Sequence, residues 1–347
     1  MGWTELHAAG FNAWSQVLFK PKSRRPEEPK DLAVFTRVLS SLTNDFRDVE
    51  SHLSYTLVTT SSETLIAGTI PREQKELFSL PKRSSYRLIA EAANGKVTVL
   101  DCAGNLRMYD SARQFCENEK DCVVFPGYSE VIQLVAYEVG FAVLDRKGRV
   151  STWGDERYPM CLGREATEAS PANFPRLVRD LTDLPSGNIL KIAAGGYVIA
   201  ALTDGGDLYC WGGHAAQVPP IRRLDGTPNL VDIDEQEISD VAVGDSHLIV
   251  LTEDDKVLVI GNNSNGQLGI DAKRAWTWTQ VELKLGEQST VMAVRAGPKN
   301  SFLIVENDWE VDEDMSDTEE EAEMDEAEDK VPSATPKRSE DEEMRDV

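Results

Sequence analysis

The sequence predicts an all-β protein: a β-propeller of six or seven four-stranded blades, closed by its N-terminal strand and followed by a disordered acidic tail. Three observations lead to this prediction. A strand-rich unit recurs along the chain, its last copy stops after two strands, and residues 6–17 repeat the pattern of residues 257–268. Units of four short strands, repeated about every 40–57 residues, are typical of propeller blades.

The recurring unit is clearest at 191–213, "KIAAGGYVIAALTDGGDLYCWGG", and again at 134–156 and 240–263. Its segments "VIAAL", "LIVL" and "FAVL" are apolar on both faces, as in strands sandwiched between neighbouring sheets. Glycines such as Gly148 and Gly206 stand between two such strands, where a hairpin turn needs positive φ. With weaker copies at 48–69 and 88–110, the pattern predicts blade starts near residues 49, 89, 135, 192, 241 and 294.

The two ends of the chain complement each other. The last unit, 293–308, has only two strands, and the N-terminal segment carries the turn residues of a complete unit. The matching pairs are Gly10 with Gly261, Asn12 with Asn263, Gln16 with Gln267, and Val17 with Leu268. We therefore expect the N-terminal strand to complete the last blade, which leaves the ring without a free sheet edge.

Charge divides the chain into two predicted domains, a propeller over 1–305 and a tail over 306–347. The tail holds 20 acidic and 4 basic residues, so it carries most of the net charge of −24. It has few apolar side chains to bury and is predicted to be disordered. Four of its hydroxyl residues lie in contexts typical of phosphorylation sites, where each phosphate adds negative charge. These candidate phosphosites are Ser316, Thr318, Thr335 and Ser339.

Several classes of site are not indicated. The five cysteines include no Cys-x-x-Cys pair, which argues against a disulfide framework or a zinc site and favours a reducing compartment. No secretory signal or long apolar run occurs, so we expect a cytoplasmic or nuclear protein without membrane contact. The glycines of 261–269 match a structural turn better than a phosphate loop, and His247 is expected to be a core or loop histidine that bonds to the backbone. We expect no catalytic residues, metal or cofactor, and hence no enzyme.

The segments "GNNSNGQLG", "AAGGYVIAALTDGGDLYCWG" and "GDSHLIVLTEDDKVLVIG" resemble repeats of the regulator of chromosome condensation family. With "GFNAWSQ" and "AGPKNSFLIVEND" at its ends, the region 1–305 looks most similar to the small members that contain little beyond the propeller. Propellers of this family usually have seven blades. The resemblance implies a non-enzymatic interaction propeller, an adaptor or regulatory subunit linked to chromatin.

The partners that this resemblance implies are basic nuclear proteins, a histone-modifying enzyme or a small GTPase, with the propeller as a monomer in a hetero-complex. Two alternatives remain open: an accessory subunit in tRNA or diphthamide modification, and a guanine-nucleotide exchange factor for a Ran-type GTPase. The founding exchange factor has a basic tail, whereas this tail is acidic. Direct nucleic-acid binding is not expected, because the basic segment 20–30 has few cations and no interleaved aromatics.

A propeller binds through the loops at the ends of its blades. The segment "AWTW" at 275–278 is predicted to lie in a connection between strands, where aromatic residues signal contact surface. Trp153 and Trp211 precede a glycine at the repeat position and are expected in the core. The candidate partner-contact residues are Asp155, Glu156, Arg157, Tyr158, His214, Trp276 and Trp278.

Overall fold

Six antiparallel sheets make up the described part of the molecule. The computed structural model describes residues 2–19, 28–42, 46–72, 74–75, 86–117 and 122–308. The first strands of the sheets begin at Asp48, Tyr86, Val131, Ile189, Ile238 and Ser289, each within a few residues of a predicted blade start. The propeller prediction is confirmed, and across the described ranges the number of blades is six.

The described residues of the first half of the chain include twelve strands and a short helix. The first five strands are β1 (Trp3–Gly10), β2 (Leu32–Ser41), β3 (Asp48–Ser51), β4 (Tyr55–Thr59) and β5 (Thr64–Gly68). They are followed by β6 (Tyr86–Glu91), β7 (Val97–Asp101), β8 (Leu106–Tyr109), α1 (Ala112–Glu117) and β9 (Val123–Phe125). The next three are β10 (Val131–Tyr137), β11 (Gly140–Asp145) and β12 (Val150–Gly154).

The second half contains eleven strands and two 3-10 turns, Pro159–Leu162 and Arg179–Leu181. The strands that lead into the fifth sheet are β13 (Arg176–Leu177), β14 (Ile189–Gly195), β15 (Val198–Thr203), β16 (Leu208–Gly212) and β17 (Asn229–Leu230). The remaining strands are β18 (Ile238–Val243), β19 (His247–Thr252), β20 (Val257–Asn262), β21 (Arg274–Gln280), β22 (Ser289–Gly297) and β23 (Asn300–Asn307).

Each blade is one of these sheets, numbered along the chain from the innermost strand outwards. Blade 1 contains β3–β5, blade 2 β6–β9, blade 3 β10–β13, blade 4 β14–β17 and blade 5 β18–β21. Blade 6 has the strand order β22, β23, β1, β2 and thus joins both ends of the described chain. Blade 1 shows three strands among the described residues, and the other five blades show four.

The N-terminal strand closes the ring as predicted. β1 pairs antiparallel with β23 along its whole length, from Trp3 opposite Asn307 to Gly10 opposite Asn300. β2 then adds the outermost strand of the same blade. Strand β2 is not predicted from the sequence, because many of its side chains are exposed and it carries none of the repeat's turn residues. The last strand ends at Asn307, so the sheet includes two residues of the segment that was assigned to the tail.

The core lies between neighbouring blades, because the second and third strands of most blades are buried on both faces. Trp153 and Trp211 are fully buried there, as predicted. His247 is fully buried as well, and its Nε2 lies 3.2 Å from the carbonyl oxygen of Asn300 and 3.0 Å from Oγ of Ser301. Position 195 accommodates only glycine, because a Cβ atom there would lie 2.4 Å from the carbonyl oxygen of Val243 in the next blade.

Candidate functional site

The turns that follow the first and third strands of all six blades lie at the same end of the propeller, which we call the turn face. Within each blade the end of the first strand and the end of the third strand both pair with the start of the second. Backbone hydrogen bonds join these turns from blade to blade. The N–H of Glu138 donates to the carbonyl of Gly196, and that of Asp245 donates to the carbonyl of Pro298. The turn face is therefore a frame of mutually bonded loops.

The most regular of these loops follows β20 and is shaped by its own side chains. The Oδ1 atom of Asn263 accepts a hydrogen bond from the N–H of Leu268 at 2.7 Å, and Oε1 of Gln267 accepts one from the N–H of Asn265 at 3.0 Å. Gly266 takes the positive φ that the turn requires. Leu268 is completely buried between blades 5 and 6.

The loop after β1 repeats this geometry, which explains the sequence match between the two ends of the chain. Asn12 Oδ1 accepts from the N–H of Val17 at 3.3 Å, and Gln16 Oε1 accepts from the N–H of Trp14 at 3.0 Å. Ser15 has a φ of 59°, the conformation that glycine adopts in the other copy. Val17 is buried between blades 6 and 1, whereas the Trp14 side chain is half exposed on the turn face.

A central cavity of about 850 Å³ opens along the inner strands and receives residues from all six blades. Among its described lining residues, five are acidic, against one lysine and one histidine. The acidic residues are Asp48, Glu50, Glu91, Glu138 and Asp245. Protein walls around such a concentration of like charge strengthen its field at the cavity, which attracts cationic groups.

Two of these carboxylates differ in their surroundings. The Glu138 side chain has neither a hydrogen bond nor an ion pair with the described residues. Asp245 is exposed to the cavity, but the surrounding protein reduces the hydration of its carboxylate. This burial, together with the nearby charge of Glu138, raises the pKa of Asp245 to about 6. The positive charge of Lys299, the lysine among the described lining residues, lowers the pKa of Asp245. Its Nζ atom lies 5.4 Å from the centre of the Phe11 ring.

Charged groups nearer the start of the inner strands are engaged with one another. The Asp240 carboxylate forms ion pairs with Lys191 Nζ and with Arg295 Nη1, the second over 3.2 Å. Arg295 Nε lies 3.7 Å from Asp48 Oδ1, so the chain of ion pairs links blades 4, 5, 6 and 1. These groups hold neighbouring blades together, in contrast to Glu138, which leaves its charge open to a ligand.

Five of the seven candidate contact residues gather at one place on the turn face, around blades 3 and 4. The Arg157 guanidinium binds both oxygens of Asp155 and lowers the pKa of that carboxyl. The Tyr158 ring lies 5.6 Å from the His214 ring, and Glu156 is exposed beside them. Tyr197 completes the cluster at 4.6 Å from His214. Tyr197 was not among the predicted contact residues. Its position in the turn between the first two strands of the repeat, directly after Gly195 and Gly196, is the signal that could have identified it.

The other two candidates lie on a strand, so the prediction that "AWTW" forms a connection is wrong. These residues belong to β21, whose pairing with β20 contributes the fourth strand of blade 5. Trp276 is half exposed, and the guanidinium groups of Arg222 and Arg274 lie 5.0 and 4.2 Å from its ring centre. Trp278 is partly buried and packs against the core between blades 4 and 5.

Three observations concern other classes of site. The candidate phosphosites Ser316, Thr318, Thr335 and Ser339 lie outside the described residues. The part of the chain that the structure describes contains no group of three or more side chains placed to hold a metal ion. Among the same residues, no helix has both the length and the apolar character that a membrane span would need.

Comparison with known proteins identifies the repeat. The family model for the regulator of chromosome condensation (RCC1) repeat matches residues 238–267, which contain β18–β20 and the turn after them. The chain is 27% identical over 272 residues to the protein pim1 of Schizosaccharomyces pombe, covering 70% of this chain and 49% of pim1. It is 29% identical over 164 residues to the mouse E3 ubiquitin-protein ligase HERC2, covering 45% of this chain and 3% of that protein. The chain thus spans less than half the length of these curated relatives.

Solved structures share the fold. Human WBSCR16 superposes with a TM-score of 0.60 at 15% identity, and the match covers 88% of this chain and 98% of that one. Prp20p from Saccharomyces cerevisiae, described with its binding properties to Gsp1p and histones, gives a TM-score of 0.53 at 13% identity. That match covers 88% of this chain and 92% of Prp20p. At these identities the likeness concerns the fold.

Proposed function

The chain is a β-propeller of the regulator of chromosome condensation repeat type, and from this premise we propose that it acts as a protein-interaction subunit. Propellers of this type mediate protein interactions. Its partner would contribute a basic segment that enters the central cavity from the turn face. The observation that supports this assignment is the excess of carboxylates in the cavity lining, where Glu138 forms no ion pair with any residue that the structure describes.

The chemistry of the cavity favours arginine or lysine side chains. A cation that approaches Glu138 and Asp245 exchanges part of its hydration for two carboxylates, and protein surrounds Asp245, so water screens the attraction less than it would at the surface. The aromatic cluster of Tyr158, Tyr197 and His214 lies on the same face and offers flat surfaces for guanidinium groups. Histones and other basic nuclear proteins have this chemistry, and histones are named among the ligands of Prp20p.

A pair of matched variants tests the cavity. Glu138→Gln combined with Asp245→Asn removes two charges from the lining. Asp232→Asn combined with Glu237→Gln removes two charges from exposed positions before β18, where the first strand of blade 5 begins. We expect the first pair to weaken binding of an arginine-rich peptide about 10-fold at low salt, and the control pair to leave it within about 2-fold.

Calorimetric titration of the peptide into each variant measures these affinities. Repeating the titration with a chain that ends at Asp308 separates the cavity from the acidic residues that follow. Equal affinities for the two variant pairs in that shortened chain would contradict the proposal. An uncharged peptide of the same length is the ligand control.

Nucleotide exchange on a Ran-type small GTPase is the second candidate, and the fold likeness to Prp20p, described with Gsp1p, favours it. Release of a fluorescent guanine nucleotide from the GTPase, with and without the chain, tests this activity. A release rate that does not change with chain concentration excludes it. The accessory role in tRNA or diphthamide modification stays a prediction from the sequence resemblance.

A further inference from the structure

The boundary between blades 2 and 3 differs from other blade boundaries of this propeller. At several boundaries, the turn after the third strand of one blade places an apolar residue against the next blade. Val17 does so between blades 6 and 1, Cys161 between blades 3 and 4, and Leu268 between blades 5 and 6. All three side chains are completely buried.

In blade 2 the segment after the third strand packs on the opposite side. Helix α1 places Ala112 and Phe115 against Val97 and Val99 of β7. Leu100, the next residue along β7, packs instead with Phe141 and Trp153 of blade 3. Because successive side chains of a strand point to opposite faces, α1 lies on the face of blade 2 that is turned away from blade 3.

The boundary that α1 does not fill contains a cleft of about 300 Å³, which we call the interblade cleft. This volume is at the lower end of the range for ligand pockets and exceeds that of a leucine side chain. Blade 2 contributes Met108, with Asn94 and Lys96 from its first turn, and blade 3 contributes an aromatic and polar wall. That wall consists of Val139, Gly140, Phe141, Trp153, Gly154, Asp155, Glu156 and Asn173.

A buried donor without a partner lies in the wall of this cleft. Trp153 is completely buried, and its Nε1–H has no hydrogen-bond acceptor among the described residues. Trp211 occupies the same register position in blade 4, opposite Ile199 as Trp153 is opposite Phe141. There the indole N–H donates to the carbonyl oxygen of Cys161 at 3.2 Å. Among the described residues, none supplies the interblade cleft with the carbonyl group that the repeat turn supplies at the equivalent boundary.

A second buried polar atom on the same side of blade 2 also has no partner. Thr98 lies on the Leu100 face of β7, opposite Met108, and its Oγ1 is buried without a hydrogen bond to the described residues. Thr98 does not line the cleft, whereas Trp153 does, and a ligand that brings an acceptor to an unsatisfied buried donor such as the Trp153 N–H gains affinity. At the rim, the Lys96 ammonium is bound to Asp110 at 2.8 Å, while Glu156 is exposed. The rim thus favours a cationic neighbour.

We propose that the interblade cleft binds a turn of a partner protein that imitates the chain's own repeat turn. The Trp153 N–H is buried in the free chain, so binding opens the wall at Trp153 and the partner's backbone carbonyl then accepts this N–H. The partner's leucine-sized side chain packs against Met108 and Phe141, and an adjacent basic residue faces Glu156. This site is separate from the central cavity and depends on shape and one hydrogen bond rather than on net charge. Either proposal can therefore fail without the other.

The test uses the full chain and a synthetic peptide with the sequence of residues 263–269, Asn-Ser-Asn-Gly-Gln-Leu-Gly, which forms the turn at the boundary of blades 5 and 6. Nuclear magnetic resonance of ¹⁵N-labelled tryptophan follows each indole N–H during the titration, and Trp153→Phe identifies the signal. We expect the Trp153 signal to shift in a saturable way at millimolar peptide, while that of Trp211 stays in place because it already has an acceptor. A peptide with alanine in place of leucine should bind about 10-fold more weakly.

A variant that blocks the cleft completes the test. Asn173 is exposed at the rim, so Asn173→Trp covers the entrance without disturbing the core, and Thr227→Trp at an exposed position of blade 4 is the control. We expect Asn173→Trp alone to abolish the Trp153 shift. Three results would overturn the proposal: an unmoved Trp153 signal, equal binding by the two variants, or a free-chain Trp153 N–H as protected from hydrogen exchange as that of Trp211.

Discussion

Replacing Leu6 by alanine tests whether the N-terminal strand holds the propeller closed. Leu6 is completely buried on β1, in a cluster with Val38 of β2, Phe302 and Ile304 of β23, and residues of blade 1. The substitution removes a buried isobutyl group from a boundary whose neighbours are backbone-paired and have little freedom to collapse into the space. Leucine-to-alanine changes in such surroundings cost about 3 kcal/mol or more, and we expect that loss in the free energy of unfolding.

Val34 provides the matched control, because it lies in the same blade on β2 and its side chain is 59% exposed. We expect Val34→Ala to change the free energy of unfolding by less than about 0.5 kcal/mol. Urea unfolding followed by tryptophan fluorescence and by circular dichroism measures both variants, and coincident transitions show that the loss concerns the whole propeller. If Leu6→Ala cost no more than Val34→Ala, β1 would not be part of the cooperative structure, and the closure argument would be refuted.

Three further predictions concern pH and backbone geometry. Protonation of Asp245, whose pKa is about 6, makes the cavity less negative, so affinity for the arginine-rich peptide should fall between pH 7.5 and 5 in the unaltered chain and stay flatter in Asp245→Asn. Burial lowers the pKa of His247 from 6.5 to about 4, so the unfolded chain takes up this proton first as the pH falls. Its contribution to the free energy of unfolding should be complete above pH 6.5 and decline by about 3 kcal/mol towards pH 4, and denaturation of His247→Gln should lack this part of the slope. Gly10 has a φ of 119°, and a Cβ there would lie 2.3 Å from the carbonyl oxygen of Lys299, whereas Gly95, with a φ of 86°, has open space around it. Alanine should therefore lower the free energy of unfolding by about 3 kcal/mol or more at Gly10 and by about 1 kcal/mol at Gly95. Thermal unfolding of the two variants ranks these losses.

The repeat turns were the part of the fold that could be predicted residue by residue. Asn263 and Gln267 satisfy the turn from within a few residues, and Gly266 supplies its positive φ, so the whole device is visible in a short sequence window. The same device at Asn12 and Gln16 predicted that β1 ends like a third strand. Local hydrogen bonds and backbone conformation leave their mark in local sequence.

The candidate contact residues were only partly predictable. Tyr158 and His214 meet at one cluster because their blades are neighbours, but their separation in sequence does not show that Tyr197 lies between them. Trp276 and Trp278 lie on one strand with an irregular register, the first half exposed and the second packed against the core. An aromatic-rich segment by itself does not distinguish this arrangement from a loop.

Sequence patterns were enough to predict the strand repeat, the turn chemistry and the closure of the ring, since each depends on a few neighbouring residues or on a match between two segments. The tertiary structure decided which charges converge in the central cavity and which pair with one another, because these contacts join different blades. It also decided that the Trp153 N–H has no acceptor within the described ranges, whereas that of Trp211 has one. That difference follows from the side of blade 2 on which α1 packs, and only the arrangement of the blades in space determines it.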